Sequence, residues 1–174
     1  MFTEFYKVRE EAEFIENFSE GDRDKFKKLM EWIIRTLRLS IRERVNRNLF
    51  PKRGEIWSIE FGENIESEIN KTRPGIILQL DINNRYSPLT IALPITNKPE
   101  GSIHDYHVEL TDDMFEQSCG VTGVIIAEQI RAISKGRLCK KLGTLKYSEM
   151  KKVERAILYI LGMEHLLGKN TIDR

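Results

Sequence analysis

The chain has 174 residues, enough for one domain with an extension or for two small ones. Its 40% apolar and 32% charged content fits an ordinary folded core, and its formal charge of +1 excludes any global electrostatic signature for nucleic acid, so such binding would need a local patch. No apolar run reaches membrane-spanning length, and the acidic opening "MFTEFYKVREEAEFIENF" lacks the basic start of a secretory signal. Cys119 and Cys139 do not have metal-site spacing. Two reduced thiols in a cytosolic chain is the preferred reading, with a disulfide left open.

Residues 1–50 contain no proline and a single glycine, Gly21. Before Gly21, the apolar residues Phe5, Tyr6, Ala12, Phe14, Ile15 and Phe18 suggest a short helix. From Asp22, a plausible N-cap, Phe26, Leu29, Met30, Ile33, Ile34, Leu37, Ile41, Val45 and Leu49 recur at spacings of three and four, which predicts an amphipathic helix. Residues 1–20 hold two basic and six acidic side chains, and residues 21–50 hold nine basic and four acidic. Pro51 ends the helical part, because the residue before proline is pushed out of helical space. The apolar stripe must be covered. The preferred role is a helical hairpin packed on the rest of the chain or extending a dimer; a basic helix presenting Arg35, Arg38, Arg42, Arg44 and Arg47 to a polyanion, or a segment that covers another part of the chain in cis, are the alternatives.

After Pro51 the pattern turns to strands. "GEIWSIEF" (54–61) alternates and "GIILQL" (75–80) is nearly all apolar. "LTIALPIT" (89–96) follows a turn-like "INNRYSP", and "DYHVELT" (105–111) alternates. "GVIIAEQIRAI" (123–133) reads as one apolar strand carrying Glu128 and Gln129. Short strands with no helices between them argue for an antiparallel sheet or small barrel. "SEMKKVERAILYILGM" (148–163) predicts a closing helix. Ser148 is its N-cap, Gly162 its terminal glycine, and Met150, Val153, Ile157, Ile160 and Leu161 its buried face.

Phosphate-binding glycine loops, paired metal-binding histidines and nucleophile elbows are absent. His104, His107 and His165 read as surface or strand residues. What remains are polar groups at strand ends: Glu68, Arg73, Thr96, Glu128, Gln129 and Arg131. Pro74 lacks a backbone donor and so marks a strand start, which puts Arg73 at the junction of a loop and the sheet. Taken alone, Arg73 reads as a strand-end arginine paired with Glu68 on the surface, and Thr96 as a strand former.

Five blocks in register over about 110 residues change that balance: "RGEIWSIEF", "SEINKTRPGIIL", "SPLTIALPIT", "GVIIAEQIRAISKGRL" and a last helix ending "YILGM". Together they resemble the MazF/PemK family of toxin endoribonucleases. The resemblance implies an α+β, mainly β fold. This is a small SH3-like antiparallel barrel over residues 51–174 with a C-terminal helix, preceded here by a helical N-terminal extension over residues 1–50 that the family barrel lacks. It implies metal-independent cleavage of single-stranded RNA without a cofactor, a homodimer, a cognate antitoxin partner and a cytoplasmic location. Its catalytic arginine falls on Arg73, its strand-end threonine or serine on Thr96, and its loop glutamate on Glu68. "INKT" stands where the family has a glycine pair, a departure that bears on the flexibility and RNA preference of the loop. A related fold serves gyrase-poisoning toxins, so a non-catalytic binding toxin is the alternative, and an inactive RNA-binding barrel a third. For Glu128, Gln129 and Arg131 the preferred reading is a structural network.

Overall fold

The computed structural model describes residues 19–97, 104 and 106–167. The short helix expected before Gly21 lies outside them. The chain divides into two compact units, Met1–Arg38 and Leu39–Arg174.

Helix α1 spans Glu20–Val45. Its N-cap is Ser19, one turn earlier than expected. The Ser19 hydroxyl accepts from the Asp22 N–H at 3.3 Å, and the Asp22 carboxylate accepts from the Ser19 N–H at 3.1 Å. Asp22 thus closes a reciprocal capping pair from inside the helix.

The last turns of α1 belong to the second unit and dock through an unexpected face. Leu39 is buried, whereas Ile41 and Val45 are 64% and 77% exposed. Arg42 Nη1 meets Glu60 Oε1 at 3.1 Å, the Ser134 hydroxyl donates to Glu43 at 2.5 Å, and Asn46 Nδ2 donates to the Lys135 carbonyl at 3.2 Å. Residues 39, 42, 43 and 46 share one helix face by their spacing. The backbone at Leu39 rests directly on Gly136, where a Cβ would stand 2.7 Å from the Leu39 carbonyl oxygen.

The sheet is antiparallel throughout, in the order β4-β5-β3-β2-β1-β7, with β6 also paired to β3. The strands are β1 (Glu55–Gly62), β2 (Lys71–Ile77), β3 (Leu89–Thr96), β4 (His107–Leu110), β5 (Gly123–Ile126), β6 (Arg131–Ser134) and β7 (Leu138–Thr144). Strand β1 is covered on both faces. Ile56 joins a core with Ile76, Leu93, Ile95 and Ile125, while Trp57, Ile59 and Phe61 join a second with Ile77, Ala92, Ile133 and Leu138. The two ends of the sheet approach each other just past β4 and β7. There Phe115 bridges Leu145, and the Lys146 N–H donates to the Met114 carbonyl at 2.8 Å. The result is the expected small barrel-like fold with helices.

Three local expectations change. "INNRYSP" contains a short helix, α2 (Asp81–Tyr86), because Asn84 is fully buried and bonds to Gln79 and Thr90. The apolar run 123–133 is two strands, β5 and β6, separated by a 3-10 turn at Ala127–Gln129. Both pair with β3, and the break falls opposite Leu93 and Pro94, where proline has no N–H to offer a ladder. Helix α3 (Tyr147–Ile160) begins ahead of Ser148, whose hydroxyl turns to Glu149 instead of capping. Met150, Val153 and Ala156 form its buried stripe, while Leu161 is 54% exposed. Gly162 takes the left-handed turn, with the Met163 N–H bonded to the Leu158 carbonyl at 2.8 Å.

Candidate functional site

The site is built where the β1–β2 loop meets the ends of β2 and β3. Strands β2 and β3 pair Ile77 with Ala92, Ile76 with Leu93 and Gly75 with Pro94. Two residues further out, the same register sets Arg73 across from Thr96. The side chains meet: Arg73 Nη1 donates to Thr96 Oγ1 at 3.2 Å. Arg73 Nε donates to the Asn70 carbonyl at 3.0 Å. The guanidinium is therefore held on two sides, by its own loop and by the neighbouring strand. Both residues are half-buried. Such a planar fork suits recognition of a phosphate.

Thr96 is fixed from its other side. It pairs with Val124 of β5, and Gly123 packs so closely that a Cβ there would lie 2.2 Å from the Thr96 carbonyl oxygen. Gly123 has φ +128°, a conformation open to glycine alone.

The loop itself is ordered by its own side chains. Asn64 Nδ2 donates to the Ile69 carbonyl at 2.7 Å, and the Asn70 side-chain oxygen accepts from the Asn64 N–H. The Glu68 N–H donates to the Ile65 carbonyl at 2.9 Å, and Glu68 Oε2 accepts from the Ile65 N–H at 3.1 Å. Glu68 is exposed and caps its own turn. Among the described residues it forms no ion pair with Arg73, so the surface pair that sequence alone suggests is not made. At Lys71, within "INKT", the backbone is left-handed with φ 68°, a conformation costing about 1 kcal/mol for a residue with a Cβ. Arg137, whose pKa is lowered mainly by burial and further by Arg131, ties down the start of the loop. Its Nη1 donates to the carbonyls of Glu60 and Phe61 at 2.9 and 3.0 Å.

Glu128 and Gln129 serve separate partners. The ring of His107, itself nearly buried, meets Glu128 Oε1 through Nε2 at 3.1 Å. Gln129 reaches across to the β1–β2 loop, where its Oε1 accepts from the Ile69 N–H at 3.0 Å and its Nε2 donates to the Ser67 carbonyl at 2.9 Å. Neither contact has a periodic signature in the sequence. Among the described residues, no three His, Cys, Asp or Glu side chains cluster closely enough to share a metal ion, and no helix is long and apolar enough to cross a membrane.

A bent sheet of seven short antiparallel strands, packed against a helix and carrying an arginine–threonine pair at its rim, makes a small barrel-like fold. Residues 52–161 match the family model described as "PemK-like, MazF-like toxin of type II toxin-antitoxin system". The chain belongs to this family. It is 34% identical over 112 residues to the endoribonuclease MazF of Staphylococcus saprophyticus, a match covering 64% of this chain and 92% of that protein. It is also 34% identical over 115 residues to the endoribonuclease EndoA of Bacillus subtilis, covering 66% and 97%. Among solved structures, MazF from Deinococcus radiodurans superposes with a TM-score of 0.57 at 23% identity, over 66% of this chain and 98% of that one. A mycobacterial endoribonuclease solved in complex with its cognate antitoxin gives 0.52 at 22% identity, over 65% and 96%.

Proposed function

We propose that this family toxin cuts single-stranded RNA without a metal ion, in the cytoplasm, as a homodimer restrained by a cognate antitoxin. The observation that carries the reading is the guanidinium of Arg73, anchored at Nε by the Asn70 carbonyl and at Nη1 by the Thr96 hydroxyl. A cation fixed before substrate arrives needs no reorganisation when charge grows on phosphorus. The family relationship to named endoribonucleases and the antitoxin-bound neighbour support the same reading.

The reaction follows from the substrate's own nucleophile. The ribose 2′-oxygen attacks the adjacent phosphorus and loses its proton, the bond from phosphorus to the 5′-oxygen breaks, and that oxygen takes a proton from water. Arg73 holds the phosphate and stabilises the added negative charge. A guanidinium gives up a proton reluctantly, so it serves as a charge stabiliser before a proton donor. Thr96 supplies a hydroxyl to a non-bridging oxygen. Glu68 takes the 2′-hydroxyl proton, a role favoured over orienting Arg73 because among the described residues no hydrogen bond or ion pair joins the two side chains. The products are a 2′,3′-cyclic phosphate and a 5′-hydroxyl. A gyrase-poisoning protein has no need of an arginine pre-set beside a strand-end hydroxyl.

The test is incubation of the full chain with mixed single-stranded RNA in excess chelator, followed by mapping of the ends. Cyclic phosphate ends are expected. An oligonucleotide with deoxyribose only at the scissile position should stay whole, and its cleavage would remove the mechanism. Arg73→Ala should cut ~10²–10³ more slowly at an unchanged melting temperature.

A further inference from the structure

We propose that Gln129 is the positioning residue of the site, a side chain that stands in for a strand and holds Glu68 and the Arg73 anchor in place. The inference rests on the cleavage reading above and adds a residue to it.

The argument begins with the geometry of the clamp. The Ser67 carbonyl and the Ile69 N–H are the two backbone groups that flank Glu68. In a sheet, a neighbouring strand would satisfy both at once. Among the described residues no strand pairs with this segment. The carboxamide of Gln129 takes its place, accepting from Ile69 at 3.0 Å and donating to Ser67 at 2.9 Å. An amide offers an acceptor and a donor side by side, with no need of a protonation step. Every other hydrogen bond to residues 65–69 among the described residues comes from within the loop, from Asn64, Ile65 and Glu68. Gln129 is thus the hydrogen-bonded tether of residues 67–69 to the sheet, acting beside the packing of the Ile69 side chain on the core of Trp57, Ile59 and Phe61.

The tether has a rigid base. Gln129 lies in the turn between β5 and β6, both of which pair with β3. Ala127, at the start of the turn, is fully buried. Strand β3 carries Thr96, the partner of Arg73. The loop that presents Glu68 and the Asn70 carbonyl is therefore referenced to the same strand that presents Thr96. The three extra residues of the 127–129 break would weaken a continuous strand, and reaching the loop is what they accomplish. A site loose by about 1 Å loses ~10² in rate, so a clamp of this kind matters to chemistry more than to folding.

Two variants of the full chain test this. Gln129→Met keeps the length and removes both hydrogen bonds. Hydrogen exchange of the Ile69 amide, measured without RNA, should quicken at least ~10-fold while amides of β1 and β3 keep their protection. Single-turnover cleavage should fall ~10–100-fold with KM changed less than ~3-fold. In a Glu68→Gln background the further loss should be much smaller, because both changes act on one group. Gln129→Glu carries the sharper readout. Its ionised carboxylate can accept from Ile69 but repels the Ser67 carbonyl. Once protonated it regains a donor, so exchange protection relative to wild type should return as pH falls below about 4. Unchanged Ile69 exchange in Gln129→Met overturns the proposal. So does faster exchange with wild-type cleavage, since the loop would then be held for no catalytic purpose. Wild-type protein that leaves RNA intact, with the exchange effects present, faults the cleavage reading and leaves the clamp standing.

Discussion

Gly123→Ala isolates the link between strand packing and the candidate site. The new Cβ would stand 2.2 Å from the Thr96 carbonyl oxygen, 3.1 Å from its carbonyl carbon and 3.3 Å from Ile95 Cγ2. Carbon–oxygen contacts settle at about 3.3 Å, so β3 and β5 must part by roughly 1 Å. The atom struck is backbone, which cannot swing aside. The residue would also be forced to φ +128°. Overpacking of about 1–3 kcal/mol adds to backbone strain of about 1–2 kcal/mol. For a chain of this size, the sum lowers the melting temperature by about 10 °C. The displaced group belongs to Thr96, so the 3.2 Å contact with Arg73 is lost as well, and cleavage should slow ~10². Gly120→Ala is the control. It also sits at positive φ, +68°, but a Cβ there meets nothing within 4 Å. It should cost about 1 kcal/mol and leave the rate alone. Scanning calorimetry and single-turnover cleavage of a labelled RNA read both quantities. Equal melting of the two variants refutes the packing argument. A destabilised Gly123→Ala protein that cuts at full speed refutes its connection to the site.

Two further outcomes follow from the docked end of α1 and the Cys139 thiol beside Arg42. Gly136→Ala would drive a Cβ to 2.7 Å from the Leu39 carbonyl and 3.1 Å from Glu43 Cβ, lifting the helix end at a cost of about 1–3 kcal/mol; an unmoved melting temperature would show that the contact is loose. The Cys139 thiol is pushed up by burial first, then by the charge and hydrogen bond of Glu60 beside it, with Arg42 opposing. It should resist alkylation near neutral pH, and more so than in a Glu60→Gln variant. Because the native thiol keeps a proton that the unfolded chain gives up, stability should fall as pH rises past the ordinary thiol range, about 8.5. Rapid alkylation of native Cys139 at pH 7 would contradict this.

The parts of this molecule that a reader of its sequence can find are those written in local terms. Pro74 marks the start of a ladder, and alternation in "GEIWSIEF" marks strand β1. The meeting of Arg73 with Thr96 is not written in such local terms: residues 78–88, with α2 among them, separate β2 from β3, and the family resemblance alone singles the two residues out. The parts that escape are polar contacts made across long stretches of chain. The apolar stripe of α1 points to Ile41 and Val45, yet the helix end docks through Leu39, Arg42, Glu43 and Asn46, three of them polar. Hydrophobic periodicity cannot register such a face, since its attraction lies in partners such as Glu60 and Ser134 rather than in area removed from water. Gln129 is hidden for the same reason, inside a run whose apolar residues argue for one unbroken strand. Lys71 in a left-handed conformation and the break at residues 127–129 both go against local preference, and both border the loop that holds Glu68. Local disfavour that persists where a loop meets a strand end is what a site held to fixed geometry requires. The departures from pattern around "INKT" and "AEQ" therefore belong to the same structure as the five blocks that follow it.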